Sequence, residues 1–84
     1  MTALFKQVAL FIRPMRISFT HHAKERLARR KISEEEIIDA VKHPDSTIKK
    51  YSKYFYQKKL DRGLIETCCE KTENNINVIT VYWV

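Results

Sequence analysis

At His43-Pro44-Asp45 the spacing of apolar residues changes from the helical period to a period of two. One change of period in 84 residues confines helices to the first half of the chain. The second half is left to strands. The length is that of a single small domain, whose core must be compact because so little surface is buried on folding.

Before the change, Ser33 followed by Glu36 forms a capping box, with Ile32 and Ile37 at the staple positions around it. Glu34, Glu35 and Glu36 complement the helix dipole. The pattern predicts a helix from Glu34 to about Lys42 that buries Ile37, Ile38 and Val41. Pro44 ends it, because the residue before a proline disfavours the helical conformation. Thr20 is placed to cap an earlier helix running to about Arg30. "MRISF", residues 15–19, alternates and reads as a leading strand.

After the change, residues 46–60 read as two strands with a tight turn near Ser52–Lys53. "DRG" at 61–63 and "ENN" are turns that bound two further strands. The order is β-α-α-β-β-β-β, an α+β domain with two helices packed on one face of a small antiparallel sheet. In the last strand Ile79, Val81 and Trp83 form a wholly apolar row, expected under the helices. Ile76, Val78, Thr80 and Tyr82 form the other row, expected on the open face.

Residues 1–14 read as an N-terminal arm ahead of a domain spanning 15–84. The apolar run Val8 to Ile12 is too short for a signal-peptide core or a membrane span. Cys68 and Cys69 are sequence neighbours, so in a strand they point to opposite faces. They are unsuited to bridging each other, and two reduced thiols fit a cytoplasmic protein. His21, His22, His43 and the cysteines lack zinc-site spacing, so no metal and no cofactor is expected.

Sixteen basic residues against ten acidic ones give a net charge of +6. Residues 20–32 and 46–60 are basic blocks, and the second holds five lysines and no acid. Between them lies an acidic block. Two basic blocks, one interleaved with Tyr51, Tyr54, Phe55 and Tyr56, favour a nucleic-acid partner. A helix-turn-helix reader is excluded by its own second helix, whose Glu34, Glu35, Glu36 and Asp39 would face phosphate.

On the first helix, His22, Arg26 and Arg29 fall within about 60° of one another, with Arg30 between them and the apolar Ala23–Leu27 stripe. His21 lies on the far side, beside Glu25. A His-Arg-Arg stripe fits metal-free cleavage of RNA, in which the 2′-hydroxyl is the nucleophile. Histidine suits the proton transfer because its ordinary pKa lies near neutrality. Arginine's planar fork matches phosphate oxygens.

The run His22-Ala23-x-x-Arg26-Leu27-x-x-Arg30-x-Ile32-Ser33, three glutamates, Ile37, "HPD" and the terminal "ITVYW" resemble the domain-of-unknown-function family numbered 4258. The resemblance covers residues 15–84. That family is grouped with small toxin ribonucleases of the RelE and barnase-like superfamily. The resemblance therefore implies a RelE/barnase-like fold, RNA as substrate and an antitoxin partner. By position, His22, Arg26, Arg30 and Tyr82 match the motif and are the implied catalytic set. The family pattern has glycine where this chain has Lys31, so the first helix must end without the residue best suited to a left-handed cap.

Two readings follow. In the first, the chain is a toxin-like endoribonuclease or an RNA-binding relative, with Arg29, Lys49, Lys50, Tyr51 and Lys58 contacting the strand through charge and stacking. In the second, it is a non-catalytic basic module that binds an acidic protein or self-associates as a homodimer.

Overall fold

The computed structural model describes residues 15–84; the arm expected over 1–14 lies outside the described residues. The order is β1 (Arg16–Phe19), α1 (His21–Arg30), α2 (Glu34–Lys42), β2 (Ser46–Lys50), β3 (Lys53–Leu60), β4 (Gly63–Lys71) and β5 (Asn75–Trp83). This is the expected α+β order, with both helices on one face of a five-stranded sheet. No described helix is long and apolar enough to cross a membrane.

The strand order is β1-β5-β4-β3-β2. β2 to β5 form an antiparallel meander, as their short turns require. β1, however, runs parallel to β5, so the sheet is mixed and not antiparallel throughout. The reason is connectivity. β1 has no hairpin to any strand, so its direction is set by the crossover through the helices.

The core joins Ala23 and Leu27 of α1 and Ile37, Ala40 and Val41 of α2 to Tyr56, Ile65, Cys69, Val78 and Val81 of the sheet. Ile37, Ile65, Val78 and Val81 are fully buried, while Ile38 is only half-buried. β5 departs from simple alternation. Cys68 pairs with Thr80, and Cys69 pairs with Val78, which leaves Ile79 as the extra residue of a β-bulge. A bulge shifts the side-chain phase by one. Ile76 and Val78 therefore face the helices before it, and Val81 and Trp83 after it. The expected rows hold only beyond the bulge: Ile76 and Val78 are core residues, and Ile79 is only half-buried.

The capping box forms as the spacing predicts. Ser33 Oγ accepts from Glu36 N, and Ser33 N donates to Glu36 Oε1, both at 3.0 Å. Arg62 adds a two-pronged contact to the same carboxylate, 2.9 Å to Oε2 and 3.1 Å to Oε1. These bonds, Arg62's first and that of the Ser33 backbone second, hold the Glu36 carboxyl far below the usual range, at about 2. A lowered folded pKa contributes stability above the unfolded value that is lost on acidification. The expected result is a contribution intact above about pH 4.5 that disappears as pH falls toward 2. Urea titrations of the parent and Glu36→Gln should converge over that window. Arg62 is exposed and Glu36 only half-buried, so solvent screening keeps the effect small.

Two backbone features run against residue preference. Lys31 ends α1 in the left-handed conformation, φ 56° and ψ 47°. An L-residue with a Cβ pays about 1–2 kcal/mol there. Lys31→Gly is expected to raise stability by about 1 kcal/mol, measured by chemical denaturation. The β2–β3 turn is Tyr51–Ser52, one residue earlier than expected, because Lys50 pairs with Lys53. Both turn residues have positive φ, 53° and 63°, the type I′ geometry that matches strand twist.

Candidate nucleic-acid interface on the first helix

β1 pairs with β5 only as far as Phe19–Val78. Beyond that point α1 takes over the outer edge of β5. Thr20 begins the substitution at the bulge. Its N–H donates to the Val78 carbonyl at 3.0 Å, and its hydroxyl donates to the Ile79 carbonyl at 3.1 Å. The same hydroxyl accepts from Ala23 N at 3.0 Å and so caps the helix. At the far end, Arg30 Nη1 donates to the Val81 carbonyl. Trp83 Nε1 donates to the Arg30 carbonyl at 3.2 Å. The helix is thus fixed at both ends along one strand edge, with Ala23 and Leu27 buried beneath it.

That attachment sets the positions of the stripe. His22 and Arg29 are exposed, and Arg26 and Arg30 are half-buried at the border. Arg26 Nε donates to His22 Nε2 at 3.3 Å, the i, i+4 contact that helical spacing allows. Among the described residues, no carboxylate pairs with Arg26, Arg29 or Arg30. His21 does have one: its Nε2 lies 3.5 Å from Glu25 Oε1 on the exposed far side. The two neighbouring histidines therefore differ in partner as well as direction.

On β5, Tyr82 follows Val81, whose carbonyl accepts from Arg30. It pairs with Glu66 across β4, and its side chain leaves the sheet on the face away from the helices. There its hydroxyl donates to Glu66 Oε2, while Gln57 Nε2 donates to Glu66 Oε1 at 2.7 Å. Burial and then the Glu66 carboxylate push the Tyr82 phenol up to about 12. This Gln57–Glu66–Tyr82 row carried no sequence signal, because only strand register aligns the three.

The lysine block divides as well. Lys50 and Tyr51 sit at the hairpin tip, with the ammonium 5.3 Å from the ring centroid and Tyr51 83% exposed. Lys49 Nζ lies 5.5 Å from the Tyr54 ring centroid. Lys58 turns inward and caps the end of α2, donating to the His43 carbonyl at 2.7 Å and lying 3.9 Å from Asp39 Oδ2. β2 is three strands away from β5, about 14 Å at the usual spacing. The α1 stripe and the hairpin are therefore two separate cationic regions.

Both cysteines are free and buried. Burial pushes each thiol up, Cys69 to about 11, which leaves them protonated at neutral pH and poor nucleophiles. They point to opposite faces, as strand alternation requires. Among the described residues, no three His, Cys, Asp or Glu side chains gather into a metal-binding group.

Neither a curated protein nor a solved structure matches the chain significantly. A family description, Domain of unknown function (DUF4258), matches residues 19–83, which takes in both helices, the bulged strand and the whole stripe. The chain belongs to that family.

Proposed function

We propose that this domain binds RNA through the exposed cationic face of α1 and cleaves it without metal, in the manner of a toxin-type endoribonuclease. The observation that carries the reading is the His22–Arg26 pair, a histidine nitrogen held by a guanidinium with no carboxylate beside it. In that contact Nε2 is the acceptor, the role a general base needs. A phosphodiester would draw Arg26 to its oxygens and release that lone pair.

The reaction then balances. Nε2 takes the 2′-hydroxyl proton as the 2′-oxygen–phosphorus bond forms. The 5′-oxygen leaves and collects a proton from the imidazolium or from water. Arg26 and Arg29 offset the charge that builds on phosphorus. The products are a 2′,3′-cyclic phosphate and a 5′-hydroxyl. The grouping of this family with toxin ribonucleases, which the sequence resemblance implies, supports the same reading and brings with it an antitoxin as partner.

A second reading, RNA binding without turnover, is favoured by Tyr82. Its hydroxyl is held by the Glu66 carboxylate, and burial and then that carboxylate push the phenol up to about 12, poorly matched to proton transfer near neutrality. Incubation of the pure protein with total RNA in chelator separates the two. New cyclic-phosphate ends from the parent support cleavage. Binding without new ends supports the second reading, and neither binding nor cleavage overturns both.

The hairpin adds affinity mainly through charge. Lys49→Ala with Lys50→Ala is expected to flatten the slope of log affinity against log salt by up to about 0.7 per lost contact on single-stranded RNA. Lys58→Ala should leave the slope unchanged, because its ammonium already serves α2. Anisotropy titrations from low to physiological salt read both outcomes.

A further inference from the structure

A groove of about 530 Å³ opens on the helix face, between the C-terminal end of α2 and the sheet edge at β1. Its base is apolar and buried: Tyr56, Ile76 and Val41. Met15 and Ile17 of the β1 end form one side. Lys42 and Lys71, both exposed, stand at the rim. Among the described residues, neither lysine has a carboxylate partner. Lys71 and Lys49 instead lie 5.3 and 5.5 Å from the ring centroid of the neighbouring Tyr54.

We infer that this groove is a docking site for an acidic amphipathic segment of another protein, with apolar anchors seated between α2 and β1 and carboxylates reaching Lys42 and Lys71. The proposal does not depend on the ribonuclease reading. Charge complementarity selects the occupant. The chain's own residues 1–14 carry Lys6 and Arg13 and no acid, the same sign as the rim, whether they come from this molecule or from a second copy. The acidic helix α2 of a second copy has already committed its apolar face to its own core. A groove that holds single-stranded RNA by stacking presents an accessible aromatic face. Tyr56 is buried, and Tyr54 stacks on it at 6.1 Å with two ammonium groups around its ring. Apolar anchors flanked by opposite charge are what such a groove recognises.

The probe is a synthetic amphipathic peptide with a leucine stripe flanked by glutamates, beside an analogue with lysine at every glutamate. The full chain is titrated with each, following methyl and amide NMR signals and peptide anisotropy. The acidic peptide is expected to bind saturably and shift Ile17, Val41 and Ile76, while the lysine analogue does not. Lys42→Glu with Lys71→Glu should weaken binding by about tenfold or more and reverse its salt dependence. Both side chains are exposed, so the variant should fold, and its unperturbed NMR spectrum checks this. Equal affinity for the two peptides, shifts confined to α1, or an unaffected double variant would overturn the proposal. So would binding that arises only when residues 1–14 are deleted, since their own chain would then be the occupant. Groove shifts produced by single-stranded RNA would assign the site to nucleic acid.

Discussion

Replacing His22 with alanine is expected to slow RNA cleavage by about 100-fold or more, the usual loss for a general acid or base. His21→Ala is expected to change it by less than about threefold, well under 1 kcal/mol on the barrier. The contrast is sharp because the two residues share composition, helix and exposure. Only their directions and partners differ. His22 Nε2 accepts from Arg26 on the cationic stripe. His21 faces Glu25, at an exposed i, i+4 contact worth a few tenths of a kcal/mol. His21 and His22 are both exposed, so both variants should fold as the parent does. Circular dichroism and a melting curve establish that before rates are compared. Equal losses would remove the stripe assignment. Undiminished cleavage by both variants would take histidine out of the mechanism.

The second large effect is structural and falls on a residue that the family resemblance places in the catalytic set. Arg30→Ala is expected to lower stability by about 1–3 kcal/mol, because the Val81 carbonyl on the β5 edge loses its donor. For a domain of this size each kcal/mol is about 4–8 °C in melting temperature. Arg26→Ala should leave the melting temperature nearly unchanged, since its bond to His22 is exposed, yet should reduce RNA affinity or cleavage. Thermal melts and RNA assays on the two variants give opposite patterns if Arg30 holds the helix and Arg26 serves the ligand. A stable Arg30→Ala protein with lost activity would return Arg30 to the phosphate site.

Local signals were legible in the sequence wherever a few neighbouring residues suffice to satisfy a physical requirement. The Ser33–Glu36 box, the stop at Pro44, the change of period after it and the divergence of His21 from His22 all depend on contacts within four residues. They survive into the structure unchanged. So does the assignment of Cys68 and Cys69 to opposite faces, which follows from strand alternation alone.

Only the tertiary structure decided the rest. The bulge at Ile79 is a register event between β4 and β5, so no periodicity within β5 could show that Ile76 and Val78 join the core. The parallel direction of β1 depends on how the helices cross the sheet. Lys58 looked like one cation among five until α2 brought the His43 carbonyl and Asp39 to it. Tyr82 was brought to Glu66 by strand register, which sets the two side by side on one face of the sheet. Arg30 acquired its donor role because α1 replaces a strand along β5. Each of these turns on a contact between residues far apart in the chain, with geometry set by packing of the whole sheet. Local sequence determines which groups need partners, and the fold determines which partners they meet.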